Sequence, residues 1–328
     1  MGEVGNAHDG SLNTAHAYIN VIAKSGAHAV KFQTHIAAAE SSPGEPFRVQ
    51  FSYADATRYD YWKRLEFTAT QWKGLKDHAE QAGLVFLSSP FSPEAVDLLQ
   101  GLGIAAWKVA SGEINNLPML ERMARTKKPL LISTGMGYMD EIDQAVEICR
   151  TQAAPYLIFH CTTAYPVPPE KAGLNVIGEL IQRYGCPVGY SDHSGDIVAG
   201  LAAAVLGISA LEVHVTFSRE CFGPDVPASL TPPELAQLAQ GLKVVRTMTD
   251  NPVRKDELTR QLEPMRKLFC KSIVYARDLA AGTTLRAEHL GGRKPGDGVP
   301  VAQIPRLVGR RLKSAVAQGQ PLSMDHLT

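Results

Sequence analysis

Of 328 residues only five are cysteines (Cys149, Cys161, Cys186, Cys221 and Cys270), with no CxxC pair and no regular spacing. So few, odd in number and scattered, they read as reduced thiols rather than a disulfide framework. Neither sign of charge is in excess: 33 Lys+Arg against 33 Asp+Glu leave no global field to attract nucleic acid or an anionic membrane. No apolar run approaches the ~20 residues of a membrane span. The opening, MGEVGNAHDG, turns polar almost at once, unlike a secretory leader. A soluble cytoplasmic protein is the expectation. A glycine-rich phosphate loop after the first strand is missing too. GNAHDG is a poor match, which argues against an open doubly wound sheet.

What the chain does have is 45% hydrophobic content in a repeating order. Apolar, β-rich runs stand at Ala29–Gln33, Leu84–Ser89, Ala105–Ser111, Pro129–Thr134, Tyr156–Cys161, Pro187–Ser191 and Ala210–Phe217. Helical patterns lie between them, such as Ser11–Gly26, Thr68–Gly83, Ser92–Gly103 and Met139–Arg150. Several open on Ser, Thr or Asp and close on Gly, the cap chemistry of helix ends. Near-continuous apolar strands alternating with helices predict a parallel sheet covered by helices. With Gly2–Val4 as the end of one more strand, eight units span about 250 residues, the size of a (β/α)8 barrel.

A barrel carries its chemistry at the C-terminal ends of its strands. There the sequence places Glu3; Lys31 and Gln33; Ser88 and Ser89; Lys108, Ser111 and Glu113; Ser133 and Thr134; Thr162, Thr163 and Tyr165; Ser191 and His193; Glu212 and His214. Lys31 and Lys108 stand inside apolar runs, which favours burial beside an anion over a surface position. With a ring of hydroxyls they suit a phosphate and a carboxylate. His193 and His214, separated by the helix-length segment Ile197–Leu206, fall at the same end of neighbouring strands. Two neutral imidazoles facing a cleft suit a divalent metal with open positions for substrate. Asp192, Glu212 and Asp225 are candidates to orient them or to bind a polyol.

Two other stretches stand out. Thr34–Phe67 exceeds an ordinary connection and reads as a functional loop or lid, its aromatics and Arg48, Arg58, Lys63 and Arg64 lining a substrate mouth or packing as a surface flap. The polar 251–269 reads as a linker between a barrel over 1–250 and a small β-rich domain over 270–328. That domain is too small to be robust alone and is expected to pack on its own barrel or a partner's. It is locally basic but has no aromatic platform for nucleic-acid bases.

Across nearly its whole length the chain resembles the N-acetylneuraminate (sialic acid) synthase family. The motifs are GEVGNAHDGS, AVKFQT, FLSSPFS, KVASGEINNLPML, LISTGM, HCTTAYPVP, GYSDHSGD, EVHVTF, GPDVPASL and the tail DLAAGTTL…KPGDG. The resemblance implies a (β/α)8 TIM barrel followed by an antifreeze-like (SAF/β-clip) domain, in a homodimer whose subunits exchange that second domain. It implies condensation of phosphoenolpyruvate with an N-acetylated hexosamine such as N-acetylmannosamine. The products are a nine-carbon 2-keto acid and phosphate, and the cation is Mn²⁺, with Mg²⁺ or Co²⁺ as substitutes. His193 and His214 match the metal ligands, and Glu3 matches a catalytic carboxylate near C2. Lys31, Ser89, Lys108, Ser111, Ser133, Tyr165 and Ser191 match phosphoenolpyruvate contacts; Thr163 stands where some relatives have Asn. Gln33, Glu113 and Asp225 match sugar contacts. Two positions depart: Val213 replaces a Lys, and Lys294 replaces an Arg that reaches the sugar's acyl group across the dimer. A 2,4-diacetamido-6-deoxyhexose acceptor, giving a legionaminate or pseudaminate, is the alternative within this chemistry. Outside it stand a non-catalytic sugar-binding paralogue and an ice-binding role for the tail.

Overall fold

The computed structural model describes residues 1–47 and 50–328, so Arg48 lies outside the described residues. Two compact units divide the chain, Met1–Asp250 and Asn251–Thr328.

The first unit is a ring of eight parallel strands: β1 Gly2–Gly5, β2 Ala29–Thr34, β3 Val85–Pro90, β4 Trp107–Val109, β5 Leu130–Ser133, β6 Tyr156–Cys161, β7 Val188–Asp192 and β8 Ala210–Val215. Hydrogen bonding runs β3-β2-β1-β8-β7-β6-β5-β4. β1 joins β8 directly, with Glu3 opposite His214. The barrel is nearly closed: among the described residues no ladder joins β3 to β4. A two-residue strand, Ser229–Leu230, adds to β8.

Cap residues set the helix starts. Ser11 accepts from the Thr14 amide before the helix Leu12–Lys24, and Ser92 accepts from the Ala95 amide before Pro93–Gly101. Thr68 and Gln71 close a capping box before Ala69–Gln81. Each satisfies helix N–H groups that have no intrahelical partner, worth ~1 kcal/mol. Gly185, in the left-handed region at φ 59°, ends Asn175–Tyr184. The apolar sides of these helices pack on the outer faces of the strands, with Trp72, Leu75, Leu99, Leu120, Ile142 and Leu180 in one continuous core.

The segment expected as a long loop carries two helices, Ala37–Glu40 and Arg58–Leu65, with Tyr61, Trp62, Leu65 and Ala37 in a core of their own. The second unit holds an antiparallel pair, Ser272–Tyr275 with Leu290–Arg293, around Ile273, Tyr275, Leu285, Leu312 and Leu327. The stretch expected as a plain linker forms two short helices, Lys255–Gln261 and Glu263–Phe269. Among the described residues no helix is long and apolar enough to cross a membrane.

Candidate active site

The strand ends open into a cavity of about 520 Å³. Every barrel residue that the family resemblance assigns to the site lines it: Glu3, Lys31, Gln33, Ser89, Lys108 and Ser111, then Glu113, Ser133, Thr163, Tyr165 and Ser191, with His193, His214 and Asp225. Lys294 belongs to the other unit, exposed, its Nζ 5.1 Å from the centre of the Phe269 ring.

Strand alternation sorts the polar residues that sequence alone could not separate. Ser88 turns from the cavity to Thr34 Oγ1 at 2.7 Å, while Thr134 and Thr162 hydroxyls donate to the Phe159 and Lys171 carbonyls. Asp192 corrects the expectation that it orients an imidazole. It accepts from Tyr190 and from the amide and hydroxyl of Ser194, holding the loop after β7. Val213 packs into the apolar core, so its difference from a lysine leaves the cavity's charge unchanged.

At the floor lie four buried charges. Lys31 Nζ is 2.8 Å from Glu3 Oε1 and 3.6 Å from Glu212 Oε1, and Lys108 Nζ is 3.5 Å from Glu212 Oε2. Glu212 is thus the shared counter-ion of the two lysines, rather than a support for His214 as its sequence position suggested. Burial alone would lower Lys31, but Glu212 and Glu3 outweigh it and hold the amine above its usual value. Lys108 ends below its usual value, because burial exceeds the attraction of Glu212 and Lys31 repels it. Ser133 accepts from Lys108, and Ser89 lies 3.4 Å from Lys31 Nζ. Glu3 Oε2, Glu212 Oε2 and Thr163 Oγ1 are buried without a hydrogen-bond partner among the described residues. Buried polar atoms are rarely left so, and here they line a cavity, the pattern of a site that completes itself with a ligand.

Above the charges stand the imidazoles, ring centres 5.4 Å apart. His193 Nδ1 lies 2.9 Å from the Thr162 carbonyl, which only accepts, so Nδ1 carries the proton and Nε2 presents its lone pair toward Tyr165 Oη at 3.3 Å. Burial, then the neighbouring His214, lower His193 to about 4, keeping it neutral. His214 Nδ1 is 3.7 Å from Asp225 Oδ2. Among the described residues no three imidazole, thiol or carboxyl groups converge as a metal cluster. The pair therefore fits an open site, two nitrogen ligands with the remaining positions left to substrate and water, and does not fit a closed structural one.

The mouth holds Phe47, Phe51, Tyr61 and Trp62 of the long segment, together with Asn6 and Phe91, which sequence reading missed. The long segment was flagged, but nothing in its pattern separated wall from flap. Both descriptions apply. Arg58 lines the cavity over the Trp62 ring. Lys63 pairs with Glu66, and Arg64 clamps Asp55 and Asp9. Glu113, beside Asn116 Nδ2 at 2.9 Å, has its carboxyl raised by burial.

The fold and the cavity define a (β/α)8 barrel whose strand ends gather buried ions and an imidazole pair around one small-molecule site. The NeuB family profile matches residues 18–254 and the SAF domain profile residues 271–328. The chain is 33% identical over 316 residues to the N,N'-diacetyllegionaminic acid synthase of Campylobacter jejuni, spanning 94% of each chain. It is 33% identical over 323 residues to the N-acetylneuraminate-9-phosphate synthase of Mus musculus, spanning 95% of this chain and 88% of that one. Over 333 residues it is 27% identical to the pseudaminic acid synthase of Helicobacter pylori, spanning 100% and 97%. Among solved structures, the N-acetylneuraminic acid synthetase of Leptospira borgpetersenii superposes with a TM-score of 0.71 at 28% identity, covering 81% of this chain and 90% of that one. This chain belongs to the NeuB family, whose relatives are sialic, legionaminic and pseudaminic acid synthases, and it carries a C-terminal SAF domain.

Proposed function

We propose that the protein condenses phosphoenolpyruvate with an N-acetylated hexose to give a nine-carbon 2-keto sugar acid and phosphate. The observation that carries this reading is the convergence of Lys31 and Lys108 on Glu212, in the same cavity as His193 and His214. Glu3, Glu212, Lys31 and Lys108 cancel in formal charge. A multiply charged phosphate ester entering there therefore needs further positive charge. Mn²⁺ held by His193 and His214 would supply it and, when bound, would polarise the acceptor's aldehyde as a Lewis acid.

The chain's own groups then have defined tasks. Lys31, Lys108, Ser89 and Ser133 hold the phosphate and carboxylate of phosphoenolpyruvate. Ser111, Thr163, Tyr165 and Ser191 complete its pocket, and Gln33, Glu113 and Asp225 hold the sugar. C3 of phosphoenolpyruvate bonds to the aldehyde carbon, and the aldehyde oxygen takes up a proton from solvent. Glu3 accepts a proton from the water that adds at C2 and returns it to solvent; phosphate then leaves with the former enol oxygen and takes the proton of the C2 hydroxyl as the ketone forms. Fixing both reactants in one cleft is the main source of rate.

The aromatic wall of Phe47, Phe51 and Tyr61 favours a second reading of the acceptor, a 2,4-diacetamido-6-deoxyhexose whose methyl groups it would cover. A homodimer is supported by Leu258, Leu262, Met265, Leu268 and Phe269, an exposed apolar series along the helices Lys255–Gln261 and Glu263–Phe269. Lys294 would reach the partner's sugar. Phosphoenolpyruvate is a cytoplasmic metabolite, consistent with five free cysteines. The test is a mass spectrum of the product from phosphoenolpyruvate, Mn²⁺ and each acceptor in turn. A 2-keto acid of the summed carbon count supports the reading; recovery of both reactants unchanged in every mixture overturns it.

A further inference from the structure

We propose that His35, paired with Glu40, is a positioning residue that fixes the amide of Gln33 and, through it, the polarity of the acceptor half of the cavity. The proposal rests on the reaction above and concerns residues that reaction does not use. His35 is buried behind the cavity wall, its ring parallel to within 14° between Trp62 at 4.0 Å and Phe91 at 4.5 Å. Both flanking rings line the cavity.

The hydrogen bonds can be assigned one from the next. Glu3, paired with Lys31, only accepts, so Gln33 turns its NH₂ toward it, at 3.0 Å. Gln33 Oε1 then faces His35 Nε2 at 3.2 Å and Asn6 Nδ2 at 3.3 Å, and both must donate. His35 therefore carries a proton on Nε2. Its Nδ1 lies 2.7 Å from Glu40 Oε1, too close for two bare lone pairs, so that contact holds a proton as well. His35 Nδ1 and Glu40 Oε1 share that proton, and Glu40 Oε2 is buried without a hydrogen-bond partner among the described residues. The ring is stacked between Trp62 and Phe91, which prevents it from rotating.

Two consequences reach the substrate. Gln33 is locked as a donor to Glu3. Asn6 lines the cavity, and with its NH₂ donating to Gln33 its Oδ1 lies buried without a hydrogen-bond partner among the described residues. That oxygen is fixed as an acceptor, matched to an amide N–H or a hydroxyl of the sugar and mismatched to a carbonyl. Lys108 takes no part in the chain of bonds, and Lys31 meets it only at Glu3 Oε1, the end farthest from His35.

The experiment compares His35→Phe, which keeps the aromatic stack without a donor, with His35→Gln, which keeps a donor. His35→Phe leaves the buried Glu40 without its partner and is expected to lose stability; assayed below its melting temperature, its kcat falls about tenfold and KM for the sugar rises, while KM for phosphoenolpyruvate stays within about twofold. His35→Gln recovers much of the loss. A folded His35→Phe enzyme with both parameters within about twofold of native overturns the proposal, as does His35→Gln performing no better than His35→Phe. Independently, ¹⁵N NMR of the ligand-free native protein should show His35 protonated at Nε2 near neutral pH; a bare Nε2 overturns it. This arm does not depend on turnover, so a native protein that releases no phosphate refutes the proposed reaction and leaves the assignment of His35 to be decided by the spectrum.

Discussion

Lys31 and Glu3 sit opposite each other on neighbouring strands and form a buried ion pair, Nζ to Oε1 at 2.8 Å. Lys31 also serves Glu212, whereas Lys108 has Glu212 as its only carboxylate partner among the described residues. The two lysines should therefore fail differently. Lys31→Met leaves Glu3 without a cation and Glu212 with Lys108 alone, and should cost roughly 3–5 kcal/mol of stability, because an unpaired buried charge is expensive. Lys108→Met strands less and should chiefly cost phosphoenolpyruvate affinity, by about a hundredfold. Denaturant melts and calorimetry on both variants separate the effects.

Acid should dismantle the same cluster. Burial alone would raise the Glu212 carboxyl, but Lys108 and Lys31 outweigh it and hold the group at about 2 against an ordinary 4.5. A depressed carboxylate contributes stability that is complete above its unfolded value and is lost as pH falls through its folded one. The loss sets in as pH falls below the ordinary 4.5 and grows toward the lowered value. Lys31, raised, works in the opposite sense: its contribution is complete below its usual value and is lost as pH rises through the raised one. Glu212→Gln should flatten the acid limb of a stability–pH curve measured by denaturant unfolding.

Gly135 is a steric test of the phosphoenolpyruvate pocket. A Cβ there would lie 2.5 Å from Thr163 Oγ1, 2.7 Å from Cys161 Sγ and 3.0 Å from Ser111 Oγ. Gly135→Ala must displace three cavity side chains at once. We expect about a tenfold rise in KM for phosphoenolpyruvate, with a destabilisation of roughly 1–3 kcal/mol.

Arg64 ties the flap to the barrel. It donates to both carboxylate oxygens of Asp55 and to the carbonyl of Asp9, on the loop after β1. Arg64→Leu should loosen the wall formed by Phe47, Phe51 and Tyr61. KM for the sugar should rise about tenfold while that for phosphoenolpyruvate barely moves, and protease should cut faster within 42–57.

The site was legible in the sequence where strands carry it. Residues at the C-terminal ends of parallel strands meet by geometry alone, so Glu3, Lys31, Lys108, His193 and His214 could be placed together from their positions. The family resemblance pointed to Ser89, the one that lines the cavity, but position along the strand alone could not say which of Ser88 and Ser89 faces inward, since register decides that. Nor did it show Glu212 between the lysines: two residues along a strand move a side chain by ~6.6 Å, and that step separates the floor, where Glu212 lies, from the level of His214. Asn6, Phe47, Phe51 and Phe91 come from loops, where no period points a side chain, and Tyr61 and Trp62 from a short helix outside the barrel repeat. The eight-strand repeat was readable because most of the strands are near-continuous apolar runs; the helices within 37–65 were not, because their apolar residues form a small separate core.

The central claim is tested most directly by phosphate release from phosphoenolpyruvate, with and without Mn²⁺, across a panel of N-acetylated hexoses, using His193→Ala as the comparison. Release that requires the metal, one class of sugar and His193 is the predicted result. A folded protein that binds phosphoenolpyruvate and Mn²⁺ yet releases no phosphate with any sugar would contradict it.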